Sequence, residues 1–309
     1  MKQKIVPIVF ALDRNLLDPA RVCLTSLMVN ANKQTYYDIY ILHPAKEQCC
    51  ILDIDALYKE YTNFNVTYIQ VGGDFDGAYE IRGITSPAYY RLFIPELIPQ
   101  YDKVVYSDVD VIFRDDLSNI YYTTDLTEYY IAGVDSLAHL IPDLRKYYEN
   151  ERKVEPSGNI YSGNIIINSK KMLEDGVLEE FRKHMDKKYM FQDMDIINIV
   201  CKGKIKYLPP SFCYTTYISD FAVNNMAQLK TMWTEEQITE AQNKGIVHYN
   251  GLKPWQGVCI NFDIWWQYYR ASPFYDPKYY FDFFSSQLNQ LDGLTLLKRI
   301  KLLLRFFFK

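Results

Sequence analysis

The chain has 309 residues, of which 49% are hydrophobic and 23% charged, and its formal net charge is -4. That composition is too apolar for a disordered chain, and the length suits one large α/β domain or two smaller ones. The acidic balance offers no basic stripe, which argues against a nucleic-acid partner. Its 28 tyrosines and 17 phenylalanines fit an aromatic-rich core better than sugar-stacking surfaces.

The chain opens MKQKIVPIVFALDRN, a short apolar run ended by Asp13 and Arg14 before any small-residue cleavage site. This pattern predicts a first strand, not a signal peptide. No apolar segment reaches transmembrane length. The cysteines (Cys23, Cys49, Cys50, Cys201, Cys213, Cys259) are scattered without a C-x-x-C pair, as expected of free thiols in a reducing cytoplasm. Strands are predicted at IVPIVFAL, DIYILH, VTYIQV and KVVYSD. Helical spacing falls between them over Pro19 to Asn30, Cys49 to Tyr61 and Ser86 to Ile98, the last ended by Pro99. Alternation of this kind predicts βαβ units and a mostly parallel, Rossmann-like open sheet, with ligands beyond the carboxyl ends of its strands. Asp13, Asp108 and Asp110 then share one rim.

The second half is less regular: YIAGVDS, NIYSGNIIINSKKM, a helix over 170–187, FQDMDIINIV and IVHYNGLKPW. With no repeat or low-complexity linker, residues 1–115, a nucleotide-binding half, and residues 116–270 are expected to share one continuous sheet. Residues 271–309 form an aromatic and basic C-terminal segment.

Two acids stand out in KVVYSDVDVIF, because an ionised carboxylate in an apolar run costs several kcal/mol, on the order of a lost ion pair, unless something pairs with it. Residues two apart on a strand point the same way, so Asp108 and Asp110 share a face, or they bracket a turn if the strand ends at Ser107. A D-x-D pair alone is equally consistent with a solvated strand end. His248, in an apolar strand that breaks at Asn250 and Gly251, adds an imidazole. Two carboxylates and one imidazole suit manganese or magnesium bridging to a diphosphate, with Lys253 adding charge to that diphosphate.

Taken together, FALDRN, SPAYYRLFIPELIPQYDKVVYSDVDVIF, YSGNIIIN, FQDMDIIN and HYNGLKPW occur in the order seen in family 8 glycosyltransferases. The chain resembles these retaining, metal-dependent, nucleotide-sugar transferases of GT-A fold from about Ile5 to Trp255. The resemblance implies that Ala11, Asp13 and Asn15 line the uridine pocket, with Asp13 at the uracil edge. It implies Asp108, Asp110 and His248 as metal ligands, and Gly251 and Lys253 in the loop that closes on the diphosphate. Arg91 is implied near sugar and phosphate, Asp135 and Asp193 at the donor hexose, and Ser162, Gly163 and Asn164 along the sugar. Asp193, Asp135 and Arg91 are the candidate catalytic group. Plain alternatives are a helix-surface charge for Arg91 and a turn residue for Asp135.

Two positions depart from the family. Tyr161 stands where Asn usually precedes the small-Gly pair, so a sugar contact is lost or comes from Asn164. Met194 stands where better known members carry glutamine, and a thioether cannot supply the amide carbonyl. With no nucleophile at Met194, front-side attack is expected over a covalent intermediate. The last 17 residues, GLTLLKRIKLLLRFFFK, hold five basic residues and no acid. Lys298, Arg299, Lys301, Arg305 and Lys309 fall on one side of a helical wheel, as in a helix lying on an anionic membrane; a helix packed on the core is the alternative. The expectation is a cytoplasmic, peripherally membrane-associated enzyme. It would move glucose or galactose from UDP-glucose or UDP-galactose to a lipopolysaccharide, glycolipid or other glycan acceptor. A non-catalytic nucleotide-sugar or glycan binder and a glycogenin-like self-glucosylating initiator are the alternatives.

Overall fold

Apolar residues run along both faces of the predicted strands, which requires layers of cover on each side of a sheet. A computed structural model, describing residues 3–45, 53–72, 75, 79, 86–292 and 295–307, shows how this is met. The strands are β1 (Lys4–Ala11), β2 (Thr35–Pro44), β3 (Phe64–Val71), β4 (Val104–Ser107), β5 (Val111–Phe113), β6 (Ile131–Asp135), β7 (Ile160–Ile167), β8 (Ile205–Tyr207), β9 (Tyr214–Thr215) and β10 (Ile246–His248). Seven of them form one mixed sheet in the order β3-β2-β1-β4-β7-β6-β8, and the remaining three form a small sheet, β5-β10-β9.

In the large sheet β1 lies parallel to β2 and to β4, and β7 runs antiparallel to β4 and β6. Val6, Ile8 and Phe10 of β1 enter one core with the helix Leu17–Val29, while Val9 and Ala11 enter the other with Leu92, Phe93 and Ile196. The sheet spans both predicted halves, since β7 pairs directly with β4.

The structure departs from the expected elements in three places, two of them with a clear local cause. The predicted helix from Ser86 to Ile98 divides into Pro87–Tyr90, a 3-10 turn Arg91–Phe93, and Ile94–Leu97. Pro95 has no N–H to donate to the Arg91 carbonyl and its ring crowds that carbonyl, so a continuous α-helix cannot form there. The predicted helix over 170–187 breaks into Ser169–Glu174 and Val177–Arg182 at Gly176, whose φ is 68°. The second predicted helix is short, Asp55–Glu60; residues 49–52 of that prediction lie outside the described residues.

The C-terminal region holds two further helices. The helix Pro277–Asp292 packs Phe283 and Phe284 around Trp266 of Phe262–Ala271. The helix Leu296–Phe307 is different: its residues up to 305 are exposed. Residues 293, 294, 308 and 309 of the predicted tail lie outside the described residues. Among the described residues no helix is long and apolar enough to cross a membrane.

β10 is held in place by Gly245, whose φ is 75° and at which a Cβ would sit 1.8 Å from the Ser211 carbonyl oxygen. Its own carbonyl accepts from the Arg114 N–H at 2.8 Å. Gly245→Ala is therefore expected to lose about 2–4 kcal/mol of stability, from strain and overlap with backbone, read as a lower Tm and urea midpoint; a wild-type midpoint would show that the turn can relax.

Candidate active site

The break between β4 and β5 answers the question raised by the two acids. β4 ends at Ser107, and after a turn β5 begins at Val111 in the other sheet. Asp108 and Asp110 therefore bracket a turn between sheets. On one side the Asp108 N–H donates to the Gly163 carbonyl of β7 at 2.7 Å. On the other, β10 pairs with β5 so that His248 lies opposite Val111, and the Tyr249 N–H donates to the Asp110 carbonyl at 3.0 Å. The small sheet thus brings a histidine 138 positions downstream, by number, to the acids.

His248 Nε2 lies 3.3 Å from Asp110 Oδ1 and 3.6 Å from Asp108 Oδ2. One ligand atom from each of the three residues falls within 4.8 Å of the others. Two carboxylates and an imidazole are hard and borderline donors that fit a divalent cation of the manganese or magnesium kind. The packing fits as well: a Cβ at Gly163 would lie 2.3 Å from His248 Cε1 and 2.6 Å from Asp108 Oδ2. Gly163 lies beneath the ligands, and only a residue without a side chain lets them converge.

Charge here is balanced by two cations. Lys253 Nζ bonds Asp110 and the Tyr249 carbonyl. Burial penalises the Asp110 carboxylate, but Lys253 and His248 outweigh it and hold it well below the ordinary range. Burial likewise opposes the His248 imidazolium, and Asp110, with help from Cys213, pushes it up to about 10.

Arg91 is the second cation and is 7% exposed. Its Nη2 donates to Asp108 Oδ1 at 2.9 Å, its Nη1 to the Ser162 carbonyl at 2.8 Å and hydroxyl at 3.2 Å, and its Nε to the Ala88 carbonyl at 2.9 Å, with Asp193 Oδ2 3.2 Å from Nε. The guanidinium also covers the Tyr106 ring, 4.4 Å from its centroid. It is no helix-surface charge; it ties β4, β7 and the helix Gln192–Val200 together. Asp193, buried, is pushed up to about 6 because desolvation outweighs the attraction of Arg91.

The remaining predicted residues fall around this centre. Ala11 ends β1 on the same rim, Val9 being opposite Tyr106. Asp13 follows it and accepts from the Asn15 N–H at 2.8 Å, with Asn15 exposed. Asp135 ends β6 beside Ile160 and accepts from the Leu137 N–H at 2.8 Å. It is a turn residue in geometry, yet burial raises its carboxyl. Leu137 (φ 57°) and Gln192 (φ 45°) are held in the left-handed region next to Asp135 and Asp193, a strain that concentrates at working sites. Gly251 is exposed, and a Cβ there meets nothing within 4 Å.

Asn164 differs from its expected role. It has no exposed surface: its Oδ1 accepts from the Ser107 hydroxyl at 2.8 Å and its Nδ2 donates to Cys213 Sγ at 3.4 Å. It lies behind the ligands and leaves no face for a sugar. Tyr161 is buried in the core, and Met194 packs partly buried against the same cluster. Sequence reasoning missed Tyr106, whose hydroxyl donates to Asp108 Oδ1 at 2.8 Å, although its position two before Asp108 carried the signal. It also missed Cys213, for which no signal existed.

The model of Glycosyl transferase family 8 matches residues 7–259. Among curated proteins, the chain is 24% identical over 266 residues to the Lipopolysaccharide 1,2-glucosyltransferase of Escherichia coli K12, covering 82% of this chain and 73% of that one. Among solved structures it resembles the WbbM bifunctional glycosyltransferase, with a TM-score of 0.72 at 21% identity. That match covers 92% of this chain and spans 52%, about half, of the larger protein. It also resembles the galactosyltransferase LgtC in complex with donor and acceptor sugar analogs, with a TM-score of 0.65 at 23% identity, covering 89% and 99% of the two chains. These likenesses establish a GT-A type fold.

The cradle yields a test. Gly163→Ala is expected to weaken Mn2+ binding by on the order of tenfold or more, measured by electron paramagnetic resonance of free Mn2+, with far-ultraviolet circular dichroism unchanged. Wild-type Mn2+ affinity in a folded variant would mean that the three ligands do not converge on one ion.

Proposed function

The chain belongs to glycosyl transferase family 8, and from that premise we propose that it is a retaining hexosyltransferase using UDP-glucose or UDP-galactose. The acceptor in this reading is a lipopolysaccharide, glycolipid or other surface glycan. The observation that carries the reading is the convergence of Asp108, Asp110 and His248 above Gly163, with Lys253 beside them. A bound divalent cation supplies positive charge opposite a leaving diphosphate. The intact triad favours turnover over the non-catalytic alternative. The curated relative named for lipopolysaccharide glucosylation supports the acceptor class.

In this reading the chain's own residues take roles that the family resemblance implies and their placement supports. Asp13 and Asn15, beyond the end of β1, hold the uridine at the carboxyl rim where open sheets bind nucleotides. Lys253 moves its ammonium from Asp110 to the diphosphate, where charge develops as the sugar departs. Gly251 leaves the diphosphate room, since among the described residues a Cβ there would meet nothing within 4 Å. Asp193 and Asp135 accept hydrogen bonds from hexose hydroxyls, with Arg91 holding Asp193 in place. Ser162 remains beside them, 8% exposed.

Retention is assigned to front-side attack. The acceptor oxygen bonds to the anomeric carbon on the face from which UDP leaves, the carbon–phosphate-oxygen bond breaks, and the acceptor's proton passes to that phosphate oxygen. Met194 offers no nucleophile, and Asp193 is committed to Arg91. UDP release measured with Mn2+ across a panel of UDP-sugars is expected to pick out one hexose, with Asp110→Ala reducing it at least a hundredfold while the protein stays folded. Equal release in wild type and variant would overturn the assignment.

The exposed helix Leu296–Phe307 supports attachment to the inner face of an anionic membrane from the cytoplasm. Each basic residue near such a surface contributes on the order of 1 kcal/mol, and each buried leucine or phenylalanine roughly 1.5–3 kcal/mol, before the cost of ordering the segment. Deletion of residues 293–309 is expected to abolish sedimentation with phosphatidylglycerol vesicles and to spare hydrolysis of the soluble donor. Loss of donor hydrolysis in proportion would make the tail part of the catalytic body.

A further inference from the structure

A buried polar chain runs behind the metal-ligand histidine and is used by nothing in the mechanism above. It begins at Ser107, the last residue of β4, whose hydroxyl donates to Asn164 Oδ1 at 2.8 Å. Asn164 Nδ2 donates to Cys213 Sγ at 3.4 Å, and Cys213 Sγ lies 3.6 Å from His248 Nδ1. Ser107, Asn164 and Cys213 are each 0% exposed and His248 is 5% exposed. Four residues from four separate strands or strand ends are linked without access to water.

We infer that Cys213 is a positioning residue for the metal site, its sulfur accepting the His248 Nδ1 hydrogen and so aiming Nε2 at the two carboxylates. The direction of the bonds supports this. The Asn164 amide NH2 can only donate, so the sulfur already serves as an acceptor. A second donor, the Nδ1–H, completes its environment and leaves Nε2 as the ring atom on the side of Asp108 and Asp110, at 3.6 and 3.3 Å. Ligating histidines almost always have such a partner on the other nitrogen, commonly a carboxylate or carbonyl. A thiol in that place is a weak, neutral acceptor. It fixes the ring without adding a third negative charge to a site already holding two.

The backbone holds Cys213 in register. It immediately precedes β9, which lies parallel to β10 with Thr215 opposite His248. Asn164, opposite Ser107 across β4 and β7, then ties the sulfur to the strand that ends at Asp108. Both sides of the ligand set are thereby linked through the protein interior.

The inference rests on Asp108, Asp110 and His248 holding the metal, and the experiment separates the two. Mn2+ binding to the full-length protein is measured by electron paramagnetic resonance without donor, alongside Tm. Cys213→Ala, and Cys213→Val should the alanine variant fail to fold, are expected to weaken Mn2+ binding about tenfold with the secondary structure intact. Cys213→Ser, which keeps an acceptor, is expected to recover most of that loss. Wild-type affinity in either apolar variant, or a serine variant no better than alanine, overturns the positioning role while His248→Ala still weakens binding. If His248→Ala binds Mn2+ as wild type does, the metal reading falls and the inference with it.

Discussion

The guanidinium of Arg91 is the interaction on which this site depends. A buried cation is tolerated only when paired and hydrogen-bonded, and breaking such a set typically costs about 3–5 kcal/mol because charge is left stranded. Here the pairing groups come from β4, β7 and the helix that carries Asp193. The electrostatic requirement of one side chain therefore fixes the relative positions of Asp108 and Asp193. Lysine could not substitute, since a point charge lacks the planar fork that reaches three partners at once.

Around that anchor the fold divides labour between two sheets. The large sheet presents the ends of β1, β4 and β6 on a common rim. The small sheet exists to bring His248 back to Asp110, and the chain between β4 and β5 crosses from one to the other at the two acids. Glycines serve opposite purposes in this arrangement. Gly163 is needed because His248 and Asp108 press on it, whereas among the described residues nothing lies within 4 Å of a Cβ at Gly251.

The site also carries costs that a merely stable protein would shed. Asp193 is buried and shifted toward neutrality, Asp110 needs Lys253 and His248 to stay ionised, and Leu137 and Gln192 hold strained backbone beside Asp135 and Asp193. Strain and unfavourable burial next to one another are the trade of stability for preorganisation. Such groups are aimed before a ligand arrives, so little reorganisation is left for the reaction.

Much of this protein was legible in its sequence. Short apolar runs and helical spacing located β1 to β4 and the helix after β1, because the core imposes these patterns on nearly every residue of an element. The acids of KVVYSDVDVIF declared themselves by their cost in an apolar run, and HYNGLKPW by its break from strand to loop. What the sequence could not hold was pairing across distance. That β5 leaves the first sheet to meet β10 follows from hydrogen-bond register, which no local pattern encodes. Resemblance implies Arg91 near the sugar and phosphate, but its partners, drawn from three elements, are visible only in the fold. Asn164 looked available to a sugar until the packing of β7 against β4 enclosed it, and Cys213 had no mark at all. The sequence determined which residues are costly to bury; only the tertiary structure decided which of them meet.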